Sequence, residues 1–129
     1  DPNIYRTIVE EWVDNIVNKE YFMAYSSHNE KDIFNNRADI LFTRYGEKFS
    51  NIEFMEVTEF KVRLINGNDP EDQEAKNRIV FDALLNVELI KDMDGYPVSD
   101  PIFRNGINHF IITMAFDEAR AQWIIWTIE

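Results

Sequence analysis

The N-terminal stretch of the chain has apolar residues at three- and four-residue spacing, which is typical of an amphipathic helix. Polar side chains fill the opposite face, and Asn3 or Asp1 is placed to cap the first turn. The pattern extends by about one more turn over Glu20 to Tyr25. The apolar positions are Tyr5, Ile8, Val9, Trp12, Val13, Ile16 and Val17.

A second helix is predicted over Asn36 to Phe49, again with one apolar face. Gly46 lowers helix stability and marks a point where this helix can end. Between the two helices, the polar run from Ser26 to Glu30 is typical of a solvated turn. The apolar face consists of Ala38, Leu41, Phe42, Tyr45 and Phe49.

After Ser50 the apolar period changes to two, which indicates β-strands. In the first strand, strict alternation would put Glu56 and Thr58 on the face of the apolar residues. A β-bulge near Val57–Glu59 would turn both polar side chains outward and place Val57 inward.

The rest of the chain predicts one long strand and a terminal hairpin. Turn-forming residues at Asn66–Glu74 and at Asp94–Gly95 flank the long strand. The hairpin arms are Asn108–Phe116 and Gln122–Glu129, and a strand as apolar as the second arm needs neighbours in a sheet. The long strand has apolar residues at Ile79, Phe81, Ala83, Leu85, Val87 and Leu89.

Helices followed by four antiparallel strands predict an α+β fold. In this arrangement, N-terminal helices pack on a curved, cone-like antiparallel sheet of about four strands. Because no linker or repeat divides the chain, we expect residues 1–129 to form a single domain.

This order of elements, with a bent first long strand and a closing strand Gln122–Ile128 that carries Trp123 near its start, resembles the nuclear transport factor 2-like (cystatin-type cone) superfamily. The resemblance spans nearly the whole chain and is carried by topology more than by motif. Within the superfamily, the chain looks most similar to two non-enzymatic branches, the peripheral domain of the mitochondrial inner-membrane protein translocase with its bacterial relatives, and the periplasmic assembly domain of type IV secretion systems. The superfamily also includes ketosteroid isomerase, scytalone dehydratase and polyketide cyclases, so it implies a fold rather than one function.

Composition narrows the classes of partner. A net charge of −11 disfavours nucleic acid and anionic membrane surfaces as main partners. The absence of cysteine excludes disulfides, thiolate catalysis and Cys-based metal sites, and we expect no cofactor.

No apolar run reaches the ~18 residues of a membrane helix, so direct membrane insertion is not expected. The compartment stays open; a start at Asp1-Pro2 suggests a trimmed chain, which favours an extracytoplasmic or membrane-peripheral place.

Few residues indicate chemistry. His28, with Glu30 and Asp32 nearby, is a weak metal signal, and a solvated turn explains it more simply. Strand alternation places His109 on the outer face of the sheet. The Asp92–Asp100 segment has only a partial likeness to a calcium loop, and a turn through Asp94–Gly95 accounts for it.

Enzymes of the cone superfamily place acid–base groups inside a cavity, where desolvation shifts their pKa. The polar residues of this chain that could point inward are Tyr45, Glu56 and Asn108. A buried carboxylate and a tyrosine would suffice for an isomerase-like proton shuttle, although the predicted bulge turns Glu56 outward. The aromatic lining of such a cavity would be Phe54, Phe60, Phe81 and Phe110.

The second face of the predicted sheet carries an apolar patch. Such a patch with a tryptophan is typical of an interface, unless the Tyr96–Phe103 loop covers it. The resemblance favours dimerisation through this face. The sequence therefore supports a non-catalytic interaction domain that binds a protein partner or itself, and alternatively a cone-cavity protein that binds or converts a small apolar ligand. The patch residues are Val80, Leu84, Ile111, Trp123 and Ile125.

Overall fold

A computed structural model describes residues 3–29, 31–34, 37–39, 42–63 and 76–129. The predicted α+β class is confirmed, since two N-terminal helices pack on an antiparallel sheet of four strands that lie in the order of the sequence. The predicted loop Asn66–Glu74 lies outside the described residues. In chain order the elements are α1 (Asn3–Val17), α2 (Tyr21–Tyr25), β1 (Lys31–Asp32), β2 (Arg37–Asp39), α3 (Phe42–Tyr45), a 3₁₀ helix (Gly46–Phe49), β3 (Ile52–Val62), β4 (Arg78–Leu89), β5 (Gly106–Asp117) and β6 (Gln122–Ile128).

Helix α1 buries its predicted apolar face against β3 and β6. It does not continue into the next segment, because it ends in a Schellman motif. The N–H of Glu20 donates to the Asn15 carbonyl and the N–H of Lys19 donates to the Ile16 carbonyl. Lys19 takes the left-handed conformation that the motif requires, with φ of 60°. A separate helix, α2, then begins at Tyr21.

The predicted helix over Asn36–Phe49 is correct only in its second half. Backbone pairing of Arg37–Asp39 with Lys31–Asp32 forms a two-stranded ribbon, so this part is strand and not helix. The α-helix starts at Phe42 and ends at Tyr45, before Gly46, and a 3₁₀ turn continues to Phe49. A Cβ on Gly46 would lie 2.8 Å from two ring carbons of Tyr21, so glycine also lets α2 approach closely.

Two bulges set which side chains of β3 face the core. The register shifts between Val57 and Glu59, as predicted, and Val57 points inward opposite Leu85. An unpredicted shift between Ile52 and Phe54 adds a residue earlier in the strand. Because a single extra residue reverses the faces, Phe54 points outward, and its expected place in a cavity lining is wrong.

The helix-facing side of the sheet forms the core together with α1 and the 3₁₀ helix. The central strand, β4, alternates strictly, and its inward residues are all buried. They pair across the sheet with inward residues of β3 and β5, for example Phe81 with Val62 on one side and Ile112 on the other. The six inward residues of β4 are Ile79, Phe81, Ala83, Leu85, Val87 and Leu89.

The two edges of the sheet differ. The turn after α2 runs beside β6, where Asn29 N–H donates to the Ile125 carbonyl and Ile125 N–H donates to the Ser27 carbonyl. Further along, Ile128 N–H donates to Ile33. In the described part of the chain β3 has a neighbour on one side only. None of the described helices combines the length and apolar character needed to cross a bilayer.

Candidate functional site

The face of the sheet away from the helices carries a run of apolar side chains across its two central strands. In the register, Leu84 of β4 lies opposite His109 and therefore between Ile107 and Ile111 of β5. Val80 continues the run beyond Ile111. Ile107 is 58% exposed, and the other three are half-buried. We call Val80, Leu84, Ile107 and Ile111 the outer stripe.

Charged side chains of both signs border the outer stripe. Lys61 Nζ lies 2.9 Å from Glu59 Oε1, and this hydrogen bond raises the pKa of Lys61. Asp82 Oδ1 lies 3.4 Å from Arg63 Nη1 and 2.9 Å from Nε2 of His109. The prediction that His109 lies on the outer face is confirmed. Two ion pairs thus border the stripe, and further carboxylates lie on the same face, because Glu129 pairs with Ile111 through the backbone and Glu56 lies opposite Asn86.

Two residues of the predicted interface patch do not lie on this face. Ile125 is fully buried, and Trp123 packs edge-on against Tyr5 of α1 with ring centres 5.1 Å apart. The reason is a bulge in β6, where Thr113 pairs with Thr127 and Met114 pairs with Ile125. Trp126 is the extra residue, so the residues before it have the opposite orientation to simple alternation.

The sequence left open that the Tyr96–Phe103 loop covers this face of the sheet. In the structure, the loop packs elsewhere. Phe103 is buried in the core, 5.7 Å from the ring of Phe110, which points inward from β5. The Asp100 carboxylate holds this conformation by accepting the backbone N–H groups of Ile102 and Phe103. Val98, Ile102 and Phe103 of the loop therefore pack on the helix side of the sheet, whereas Tyr96 is 70% exposed.

His28 and Tyr45 form a buried polar contact that the sequence did not reveal. His28 is 1% exposed, so the expectation of a solvated turn is wrong. Its Nδ1 lies 2.6 Å from the Asn29 carbonyl, which can only accept, so Nδ1 carries a proton. Nε2 lies 2.9 Å from the Tyr45 hydroxyl, and that hydroxyl accepts the indole N–H of Trp12 at 3.1 Å.

The three polar residues that were predicted to point into a cavity lie in different surroundings. Burial raises the pKa of Tyr45 far above its ordinary value, which opposes any role as an acid near neutral pH. Glu56 points outward and is exposed, 3.5 Å from the amide of Asn86. Asn108 does point inward, but its amide donates to the carbonyls of Arg104 and Gly106 and accepts the Arg104 N–H. The structure does not bring the three together as one polar site.

Aromatic rings occupy the space between the helices and the sheet. Phe49 lies at the middle of this group, 5.8 Å from Trp12, 5.1 Å from Tyr45 and 6.3 Å from Phe103 between ring centres. Phe60, Phe81 and Phe110 point inward as expected, and Phe60 stacks on Phe81 at 4.4 Å. Within the described ranges, no group of three carboxylate or imidazole side chains is placed to hold a metal ion.

Two surface pockets flank the β5–β6 hairpin. One, of about 450 Å³, lies between α1 and the hairpin and includes Ile8 and Trp123. The other, of about 560 Å³, lies on the outer side of the same hairpin beyond the outer stripe. Ala115 and Ile124 lie at its base, and the indole of Trp126 lies beside them.

Comparisons with known proteins add little to this geometry. No protein-family model matches the chain, and no curated protein matches it. Among solved structures, a "putative polyketide cyclase" from Xanthomonas campestris pv. campestris is similar, with a TM-score of 0.45 and 8% sequence identity. The match covers 97% of this chain and 90% of that chain. At this level of similarity it carries no argument about function.

Proposed function

We propose that this chain is a protein-interaction domain that associates with a second copy of itself through the outer stripe. The observation that carries the proposal is the run of aliphatic side chains across β4 and β5, in which Ile107 is 58% exposed and Leu84 and Ile111 are half-buried. An apolar surface of this kind gains free energy when a partner removes it from water. We favour a second copy of this chain as the partner, and we take residues 1–129 as a single nuclear transport factor 2-like domain.

The face of the sheet supports association better than its edges do. The outer edge of β6 is already hydrogen-bonded to the Ser27–Asn29 segment. Strand β3, at the other edge of the described sheet, carries two bulges and several charged side chains, which are features that prevent strand-to-strand pairing. Face-to-face packing requires neither edge to open.

Charge at this face is compatible with a second copy. With a net charge of −11, two copies repel each other at long range. Part of the charge around the outer stripe is neutralised, because Glu59 pairs with Lys61 and Asp82 pairs with Arg63. The repulsion that remains between two copies should fall as salt screens it.

The alternative is an isomerase- or cyclase-like enzyme, or a binder of small apolar ligands, that uses the cone interior. Its support is weaker, because Glu56 points to solvent and the hydroxyl of Tyr45 is already hydrogen-bonded to buried partners. We therefore retain the interaction domain as the proposal.

The test is the molar mass in solution, measured by light scattering over a dilution series. We expect a dimer that dissociates on dilution and that raised salt strengthens by screening the mutual repulsion. Ile111→Glu places a carboxylate in the stripe of both copies and should give a monomer. The control is Met93→Glu, which adds the same charge at an exposed loop residue outside the sheet and should leave the dimer intact.

Circular dichroism and thermal unfolding would establish that the Ile111→Glu variant is folded, as expected for an outward-facing side chain. A wild-type protein that is monomeric at every concentration and salt level would refute self-association. A dimer that persists in the folded Ile111→Glu variant would move the interface away from the outer stripe.

A further inference from the structure

The pocket on the outer side of the β5–β6 hairpin combines an apolar base with a cationic rim. Its base includes Ala115 and Ile124, which are buried although they face away from the helices. Its volume of about 560 Å³ lies in the range of small-molecule sites. The side chains that matter for recognition are Lys76, Arg78, Arg120 and Trp126.

Arg78 is held over the ring of Trp126. The guanidinium carbon lies 4.7 Å from the ring centre, a distance at which the cation is attracted to the aromatic face. This contact holds the guanidinium near the Trp126 ring, and Arg78 itself lines the pocket. Trp126 is the residue that the β6 bulge adds to this strand, so the bulge creates the platform.

The cations of the pocket differ in how far they are neutralised. Arg120 lies 3.2 Å from Asp117 and donates to the carbonyls of Ser26 and His28, so it joins the hairpin to the turn after α2. Across the part of the chain that the structure describes, Lys76 and Arg78 form no ion pair. In a protein of net charge −11, two such cations beside one pocket are a local exception.

Carboxylates at the pocket limit what it can bind. Asp117 is occupied by Arg120 and by the backbone N–H of Ala119. Glu118, exposed at the rim, has no described ion pair and repels a second negative charge on a ligand. The pocket is therefore suited to one negative charge next to an apolar body.

We propose that this pocket binds a small organic monoanion. The carboxylate of this ligand would accept charge-assisted hydrogen bonds from Arg78 and Lys76. The planar or apolar body of the ligand would lie on the base formed by Ile124 and Trp126. The site is separate from the outer stripe and does not depend on self-association, because none of the pocket residues belongs to the stripe.

Phenylacetate is a suitable probe, and phenylacetamide is its neutral counterpart of nearly equal shape. The indole N–H signals of Trp12, Trp123 and Trp126 can be followed separately in ¹H–¹⁵N spectra during titration. We expect phenylacetate to shift the Trp126 signal to saturation and to leave the other two in place. Phenylacetamide should bind about tenfold more weakly, because it lacks the charge that Arg78 recognises.

Arg78→Gln should weaken phenylacetate binding about tenfold and bring it close to the value for phenylacetamide. Lys91→Gln is the matched control, since Lys91 is exposed and lies outside the pocket. Inorganic phosphate, which has charge and no apolar body, should not displace the probe.

Four results would overturn the proposal. The first is a Trp126 signal that does not respond to phenylacetate. The second is equal binding of phenylacetate and phenylacetamide, and the third is phenylacetate binding that Arg78→Gln leaves unchanged. The fourth is displacement by inorganic phosphate at similar concentration, which would indicate attraction to charge alone. Because the oligomeric state is measured separately, failure here leaves the proposed interaction domain intact, and the reverse also holds.

Discussion

The hydroxyl of Tyr45 lies 2.9 Å from Nε2 of His28, and both residues are almost completely buried. The contact joins the end of α3 to the turn that runs beside β6. Trp12 of α1 donates to the same hydroxyl, so three separate segments meet at one oxygen atom. Removing that oxygen therefore tests how these segments are held together.

Tyr45→Phe should destabilise the protein by about 1–3 kcal/mol at neutral pH, because the Trp12 indole N–H loses its acceptor in the core. Urea unfolding measures this free energy. Tyr96→Phe removes a hydroxyl from a largely exposed ring and should change stability little. Equal effects of the two substitutions would mean that the buried contact contributes nothing to stability.

Alkaline pH should weaken the wild-type protein through Tyr45. Burial raises the pKa of Tyr45 in the folded state, whereas the unfolded chain has the ordinary value of 10.0. Its contribution is therefore complete below about pH 10 and is lost as pH rises further, by up to about 1.4 kcal/mol per pH unit. Unfolding free energies of Tyr45→Phe should fall less steeply above about pH 10. Parallel curves for the two proteins would refute this.

Lys19→Gly should stabilise the protein. Lys19 has φ of 60° in the Schellman motif at the end of α1, where a Cβ is disfavoured and glycine is not. After subtraction of the entropy that glycine adds to the unfolded chain, we expect a gain of about 0.5–1 kcal/mol. Asn18→Gly, one residue earlier, has no left-handed conformation to relieve and should destabilise. Thermal unfolding of the two variants should give shifts of opposite sign.

Gly46→Ala should destabilise by about 1–3 kcal/mol, because the new methyl group would meet the Tyr21 ring at 2.8 Å. In a Tyr21→Ala background the same change should be neutral or slightly stabilising, since alanine favours the helical turn more than glycine does. A double-mutant cycle measures this coupling. An unchanged cost in the Tyr21→Ala background would place the strain elsewhere.

Asn108→Ala should cost about 2 kcal/mol, since the N–H and the carbonyl of Arg104 lose the buried Asn108 amide as their hydrogen-bond partner. Asn86→Ala, on the outer face with a single long contact to Glu56, should have little effect. Chemical unfolding measures the free energy of unfolding of both variants. Equal values for the two would show that the Asn108 amide has no structural role.

Local patterns predicted much of the fold, because the residues that form α1 and β4 bury one regular face each. The Val57–Glu59 bulge was predictable, since regular alternation would have placed Glu56 and Thr58 inside. The bulge at Trp126 was not, because apolar residues on both sides of it hide the change of face. Trp123 and Ile125 were therefore assigned to the wrong side.

The environment of His28 could not be predicted from local sequence. A polar run such as Ser26–Asn29 has the composition of a solvated turn. Its burial comes from β6, since the Asn29 amide donates to the Trp126 carbonyl 97 residues further along. The pocket cations were missed for the same reason, because Arg78 and Trp126 are adjacent only in the folded sheet.

The position of the Ser27–Asn29 segment beside β6 also constrains the order of folding. During synthesis α1 and α2 leave the ribosome well before Gln122–Ile128 has been made, so Ser27 and Asn29 lack their backbone partner Ile125 until β6 emerges. Closing so long a loop is entropically costly and slow, which makes the docking of β6 a late event. Nascent chains stalled before Gln122 should therefore retain water around His28 and expose apolar surface to chaperones.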